Sequence, residues 1–168
     1  MKRAILSGFT FAALISSWLA SAQCVAEFNG GGGLISPPFV LTNGYIFQPA
    51  STDGTNGGRA VYSFTVPAEG QYAIQAFAEV LTKEAGSLLV DIDSEPKDPD
   101  MIWELAPTTG FATNWVSIGK DKTPKYFHLT QGHHQIIIRG RSSNVKLAHI
   151  RVLARPKPPA GLRMVIGQ

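Results

Sequence analysis

Most of the chain consists of short runs in which apolar and polar residues alternate, and this pattern restricts the fold more than any other feature. In the run 60–66 every second side chain is apolar: Ala60, Tyr62, Phe64 and Val66. A period of two residues is that of a half-buried β-strand. The segment Pro67-Ala68-Glu69-Gly70 then favours a turn, and the alternation resumes over 72–78. The pattern predicts two consecutive strands joined by a tight connection.

Further runs follow, separated by turn signals: 87–92, 101–105, 115–118, 125–129, 135–139 and 145–153. The segment 28–58 is rich in Gly, Pro, Asn and Thr, which predicts loops that join short strands. Beyond residue 22, no segment sustains apolar residues at i, i+3, i+4 and i+7, so a helix of any length is not expected. Many short strands spaced by turns predict an all-β fold, either a sandwich or a barrel.

The first 22 residues have the organisation of a secretory signal peptide. Lys2 and Arg3 precede an apolar stretch over 4–19, and Ala20-Ser21-Ala22 supplies small residues before the chain continues. We expect cleavage after Ala22 and a secreted or periplasmic protein. The apolar stretch is interrupted by Ser, Gly and Thr and is followed by a polar, glycine-rich segment, so no stable membrane span is expected.

The mature chain has the length of one domain. Cleavage removes 22 of the 168 residues, and a chain of the remaining size buries roughly two thirds of its unfolded surface. We place a β-sandwich binding domain at 23–154. The tail 155–168 begins with a proline-rich linker and ends in a strand-like segment that pairs with a sheet edge or stays separate.

Charge and cysteine content exclude several classes of protein. The formal net charge of +3 falls to +1 when Lys2 and Arg3 leave with the signal peptide, so nucleic acid is not an implied partner. Cys24 is the only cysteine, so the exported domain depends on its core and not on an internal disulfide. Lipidation of Cys24 is an alternative form of anchoring, but it calls for a small residue where Gln23 stands.

Several segments follow one another in an order that points to a family: Ala26-Glu27, Pro67-Ala68-Glu69-Gly70-Gln71-Tyr72, Val90-Asp91-Ile92-Asp93, Thr109-Gly110-Phe111 with Trp115, 127–136 and 145–150. Together they span 26–153. Their order resembles that of galactose-binding-like jelly rolls, in particular carbohydrate-binding modules of families 6 and 35. The resemblance implies a jelly-roll β-sandwich that binds glycan through its loops.

In these modules a glutamate near the N-terminus and an aspartate in the last strand often hold a structural calcium ion. Glu27 stands at the first position, but Ala148 occupies the second and offers no side-chain oxygen. Because Ca²⁺ takes 6–8 oxygen ligands, we expect no metal site of the usual kind and no cofactor.

The resemblance and the loop positions indicate a set of candidate ligand-binding residues: Tyr45, Trp103, Phe111, Arg141 and Asn144. Sugar sites combine an aromatic plate for stacking with polar side chains for the hydroxyl groups. Phe111 stands where the modules often have their stacking aromatic, and Tyr45 lies in the loop-rich region. Asn144 stands in the last loop, where the modules use a polar side chain.

Each candidate also has a structural interpretation. Core packing is the alternative for Phe111 and Tyr45, and Trp103 faces either the core or the cleft. A solvated turn is the alternative for Arg141 and Asn144. The remaining motifs favour structural roles: Trp115 as a core residue, His133-His134 as neighbours on opposite faces of a strand that cannot share one zinc ion, and the acidic stretch 91–100 as a solvated hairpin.

Catalysis has little support, because the chain contains no Gly-x-Ser-x-Gly elbow, no His-Glu-x-x-His and no phosphate loop. The sequence therefore predicts a secreted, non-catalytic carbohydrate-binding module whose partner is a glycan or polysaccharide. The alternative is a structural or adhesion β-sandwich that contacts protein through a sheet edge or the tail. The absent calcium aspartate, and a phenylalanine instead of a tryptophan at Phe111, favour that alternative.

Overall fold

The computed structural model describes residues 22–82, 84–117 and 123–156. These residues form strands and no helix: β1 (Gln23–Asn29), β2 (Leu34–Ser36), β3 (Val40–Thr42), β4 (Tyr45–Phe47), β5 (Arg59–Val66), β6 (Gly70–Val80), β7 (Gly86–Ile92), β8 (Ile102–Leu105), β9 (Ala112–Trp115), β10 (Tyr126–Leu129), β11 (Gly132–Gly140) and β12 (Val145–Ala154). Apart from Ala22, the predicted signal peptide lies outside the described residues, as does the tail from 157 onward.

The strands form two antiparallel sheets that make a sandwich. Sheet A has seven strands in the described residues, in the order β10-β6-β12-β4-β3, with β1 paired to β12 and β9 paired to β6. Sheet B has five strands in the order β2-β5-β11-β7-β8. The predicted all-β sandwich is confirmed, and the long strands lie close to the predicted runs. The exception is β9, which ends at Trp115 instead of beginning there.

The core is formed by the alternate residues that both sheets turn inward. Tyr62 of β5, Ile74 of β6 and Ile150 of β12 are each at most 1% exposed. Full burial of one large apolar side chain contributes roughly 1.5–3 kcal/mol. This packing holds the domain together without a disulfide, since Cys24 is an exposed free thiol.

Trp103 belongs to this core, and its place among the candidate binding residues is corrected. Its side chain is 1% exposed, so no ring face is open to a sugar. The indole Nε1 donates a hydrogen bond to the carbonyl oxygen of Trp115 at 3.0 Å. The phase of β8 decides the orientation, because Trp103 and Leu105 face the core while Glu104 between them is exposed.

We expect Trp103→Ala to lower the free energy of unfolding by about 3–5 kcal/mol, because it leaves a large cavity between the sheets. Urea unfolding of the purified protein measures this loss. Trp115, which the sequence predicts as a core residue, is only half-buried and lies opposite Gln75, so that prediction is wrong. Trp115→Ala is therefore the matched control, and we expect it to cost clearly less. Equal losses in the two variants would contradict the core position of Trp103.

Two loops cover part of the outer face of sheet B, while Ser63, Thr65 and Gln135 on the same face are exposed. Val61, Leu89 and Ile137 point away from the core, yet each is at most 5% exposed. A Cβ placed on Gly54 would lie 2.5 Å from Leu89 Cδ1, which shows how closely the loop before β5 packs on this face. The acidic loop that follows β7 supplies the other cover, with Pro96 buried.

The acidic loop connects the antiparallel strands β7 and β8, and its residues 93–100 are exposed except for Pro96, so the prediction of a solvated hairpin is confirmed. Arginines fasten this loop to sheet B. Glu95 accepts a hydrogen bond from Arg59 Nε at 2.6 Å and another from Arg139 Nε at 2.9 Å. Burial alone would raise the pKa of Glu95, but the two arginines outweigh it and hold this pKa below its usual range. Asp98 lies 3.5 Å from Arg141. The loop is therefore a cover over sheet B.

His134 ties the acidic loop to β11. Its Nδ1 lies 2.6 Å from Asp93 Oδ2, and its Nε2 lies 2.8 Å from the carbonyl oxygen of Thr130. Both partners are acceptors, so the doubly protonated ring satisfies both contacts. Burial of the ring lowers its pKa, but the hydrogen bonds to Asp93 and Thr130 and the charge of Asp93 prevail, and the pKa of His134 is raised.

A raised histidine pKa gives a definite pH dependence of stability. The contribution of protonated His134 is fully present below the histidine pKa of the unfolded chain and is lost as the pH rises through the higher folded pKa. We expect the free energy of unfolding to decline across that interval and to decline less in Asp93→Asn, which removes the charge that favours the proton. Denaturant unfolding over a pH series tests this, and identical pH profiles would contradict it.

Candidate functional site

The outer face of sheet A carries the candidate site, and strand registers decide which side chains reach it. Residues directly opposite one another in antiparallel strands point to the same face. Phe77 of β6 lies opposite Thr113 of β9 and His149 of β12. One step along the same face, Gln75 lies opposite Trp115 and Arg151. These pairings place polar and aromatic side chains in adjacent rows.

An extra residue in β12 sets the phase of this face. The register of β12 against β6 shifts between Leu147 and His149, so Ala148 is a β-bulge. Because of the bulge, Leu147 and Ile150 both face the core, while His149 between them is exposed. Without it, His149 would lie out of step with Phe77.

Three aromatic rings form the centre of the site, and we name Tyr45, Phe77 and Phe111 the aromatic cluster. The Phe77 and Phe111 rings stack with centroids 5.5 Å apart and planes 22° apart. Tyr45 is tilted against Phe111, with a centroid distance of 5.8 Å. Phe77 is 40% exposed, so part of its ring faces solvent. The cluster is a partly exposed apolar surface.

The β3–β4 hairpin brings Tyr45 to the cluster. Its two-residue turn is Asn43-Gly44, and both residues have positive φ, 47° and 82°. This is the backbone that a two-residue type I′ hairpin requires, and Asn-Gly is its preferred sequence. Ile46 is buried and faces the core, so its neighbours Tyr45 and Phe47 point to the outer face.

A groove of about 300 Å³ adjoins the cluster, with Phe77 as the shared residue. Its lining is Glu27, Gln75, Ala76, Phe77, Thr113, His149 and Arg151. The amide of Gln75, the hydroxyl of Thr113 and the imidazole of His149 supply both donors and acceptors. The groove therefore combines one aromatic wall with polar groups suited to hydroxyl-bearing ligands.

Two ion pairs flank the cluster and the groove. Lys146 Nζ lies 3.0 Å from Glu79 Oε2 and 5.1 Å from the centre of the Tyr45 ring. Arg151 donates to Glu27 Oε1 from Nε at 3.0 Å and from NH2 at 2.8 Å. The charges of Lys146 and Arg151 are therefore each balanced by a glutamate carboxylate.

The residues that stand where the resembling modules often hold calcium do not fit that ion. Glu27 already accepts two hydrogen bonds from Arg151, and Ala148 provides no oxygen ligand from its side chain. Within the described ranges, no three His, Cys, Asp or Glu residues are grouped so that they could hold a metal ion. Calcium has no part in the function proposed below.

The structure brings two of the predicted site residues together and separates the others. Tyr45 and Phe111 are in contact in the aromatic cluster. Arg141 donates to Ser87 Oγ at 3.2 Å and pairs with Asp98, which directs it toward the acidic loop. Asn144 Nδ2 donates to Thr82 Oγ1 at 2.7 Å and so fastens the loop after β6. A direct sugar contact by Asn144 stays a prediction.

The sequence reasoning missed Phe77 and the whole groove, although one signal was present. Alternate residues of β6 point into the core: Tyr72, Ile74, Ala76 and Ala78. The residues between and beside them point outward and are mostly polar or small: Gln71, Ala73, Gln75, Phe77 and Glu79. Phe77 is the one aromatic residue among these outward positions. A large ring on the solvent side of a strand indicates either a contact surface or a covering loop.

No protein-family model matches the chain, and no curated protein matches it in sequence. Solved structures do match it in fold. A family 35 carbohydrate-binding module from Clostridium thermocellum is 13% identical, with a TM-score of 0.58, and the match covers 81% of this chain and 100% of that one. An exo-β-1,3-galactanase from Phanerochaete chrysosporium is 14% identical over 79% of this chain, with a TM-score of 0.56.

A mannanase of the GH26-CBM35 type from Podospora anserina also matches, with 10% identity over 80% of this chain and a TM-score of 0.54. The chain spans only 29% of the galactanase and 28% of the mannanase. At these identities the matches establish the fold: it is the jelly-roll sandwich that the sequence resemblance implied. In the part of the chain that the structure describes, no helix is long and apolar enough to cross a membrane.

Proposed function

We propose that this chain is a secreted, non-catalytic carbohydrate-binding module that holds glycan on the outer face of sheet A. The observation that carries the proposal is the aromatic cluster beside a polar groove on the outer face of sheet A, where Phe77 is 40% exposed. Sugar rings present a face of C–H groups that packs on aromatic rings, and their hydroxyls bond to side-chain amides, hydroxyls and imidazoles. The full-length similarity in fold to a carbohydrate-binding module supports the same function.

The non-catalytic part of the proposal rests on the carboxylates near the site. A glycosidase of the usual kind needs two carboxyl groups that flank the scissile bond and exchange protons with it. Glu27 and Glu79 are the glutamates beside the groove and the cluster, and each is paired with a basic side chain at 3.0 Å or less. Both carboxylates are engaged in ion pairs and do not face each other across the groove as a catalytic pair, which favours binding over hydrolysis.

We expect Phe77→Ala and Phe111→Ala each to weaken glycan binding roughly ten-fold or more, because each removes a stacking surface worth about 1–2 kcal/mol. Affinity electrophoresis of the purified protein in gels that contain soluble β-1,4-mannan, β-1,3-galactan or dextran measures the effect. Mannan and galactan correspond to the matched mannanase and galactanase. Dextran corresponds to an isomalto-dextranase from Arthrobacter globiformis that also matches this chain in fold.

Tyr126→Ala is the matched control, because Tyr126 is 41% exposed, as Phe77 is, but does not line the groove. Retardation that survives in Tyr126→Ala and is lost in Phe77→Ala supports the site. Equal binding by all three variants would show that glycan binds elsewhere. Absence of retardation by the unaltered protein in every gel would contradict the function itself.

Protein contact is the second candidate function, and one feature favours it. Leu34 of β2 and Leu41 of β3 are 77% and 51% exposed, and both strands lie at sheet edges. Exposed aliphatic residues at an edge are typical of interaction surfaces. If the protein binds no glycan but forms a complex that Leu41→Asp abolishes, this candidate replaces the first.

A further inference from the structure

On the outer face of sheet A, near the cluster and the groove, Lys146 and Arg151 each form an ion pair with a glutamate. Lys146 and Glu79, next to Tyr45, have side chains 23% and 21% exposed, so this pair is largely shielded. Arg151 and Glu27, at the groove, are 50% and 47% exposed. Arg155 lies away from both, with its guanidinium carbon 4.6 Å from the centre of the Tyr126 ring. Among the described residues of the groove lining and the cluster, the further titratable groups are the His149 imidazole and the Tyr45 phenol.

We infer that these two ion pairs set the charge selectivity of the site, so that it takes neutral glycan and rejects glycan that carries carboxylates. This inference rests on the proposed function. Recognition of a carboxylate needs a lysine or arginine whose donors point at the ligand, and the strongest form is the bidentate arginine fork. Here Nε and NH2 of Arg151 already bond to Glu27.

The glutamates have two effects on a sugar at this site. A carboxylate on the sugar that approaches Lys146 or Arg151 also meets Glu79 or Glu27, and like charges in contact are unfavourable. A hydroxyl meets no such repulsion, because an ionised glutamate has acceptor positions beyond those that its partner occupies. The same pairs therefore exclude uronic acids and accept neutral sugars.

Removal of one glutamate charge should open the site to acidic glycan. Glu79→Gln and Glu27→Gln keep the shape of the side chain and leave Lys146 or Arg151 without its counter-charge. Glu104→Gln is the matched control, since it removes the same charge from an exposed position of β8 in sheet B. Thermal unfolding of each variant checks that the fold is retained.

The probes are soluble β-1,4-mannan and β-1,3-galactan, and the polyuronates made from each by oxidation of its C6 hydroxymethyl groups. Affinity electrophoresis at mildly alkaline pH compares each polysaccharide with its oxidised form. We expect the unaltered protein to bind a neutral polymer and to be retarded clearly less by the polyuronate. Glu79→Gln and Glu27→Gln should each gain affinity for the polyuronate, roughly three- to ten-fold and reduced by added salt, and Glu104→Gln should gain none.

The outcomes separate the two levels of the proposal. Retardation of the unaltered protein by the polyuronates as strong as by the neutral polymers overturns the charge selectivity and leaves glycan binding intact. Neutral binding with no gain in either glutamine variant overturns the role of the ion pairs. A gain in one variant alone assigns the selectivity to that pair. Binding to none of the four polymers overturns the proposed function, and the inference fails with it.

Discussion

The register of β6 between β12 and β9 is the constraint on which the rest of the structure depends. It turns Ile74 and its alternate neighbours into the core and Gln75, Phe77 and Glu79 outward. Because side chains alternate, a shift of one residue would bury the polar set and expose the core set. The bulge at Ala148 keeps β12 in step, so His149 joins Phe77 on the outer face. The site is therefore a consequence of how the core is packed.

The two outer faces of the sandwich differ in how far loops cover them, and the proposed binding surface lies on sheet A. Sheet B is covered in part by the acidic loop, which Glu95 fastens to Arg59 and Arg139, and by the loop that packs Gly54 on Leu89. Sheet A keeps an exposed aromatic cluster and a groove.

The fold was predictable from sequence because alternation and turn residues are local signals. The runs at 60–66 and 72–78 gave the strands and their inward phase directly. Tyr45 and Phe111 were predicted as candidate site residues, and that role stays a prediction. Their contact could not be predicted, since it depends on how β4 and the segment before β9 meet across β6 and β12. Trp103 was ambiguous for the same reason: only the position of β8 in sheet B shows that its ring is enclosed.

The groove and the ion pairs were beyond the reach of local patterns. Glu27 and Arg151 are 124 positions apart in the chain and meet only because β1 pairs with β12. Lys146 and Glu79 likewise meet only because the register of β12 against β6 places them opposite each other. Pairings of this kind determine the chemistry of the face, and they become visible only when the sheet order is known.

The central claim is that glycan lies on the outer face of sheet A, and mapping of backbone amide shifts by nuclear magnetic resonance tests it most directly. The isotope-labelled protein is titrated with a neutral oligosaccharide cut from the polymer that it binds best. The account predicts that the largest shift changes fall on Phe77, Thr113 and His149 and on their neighbours in β6, β9 and β12. Changes confined to the acidic loop over sheet B, or to the edge at Leu34 and Leu41, would contradict it.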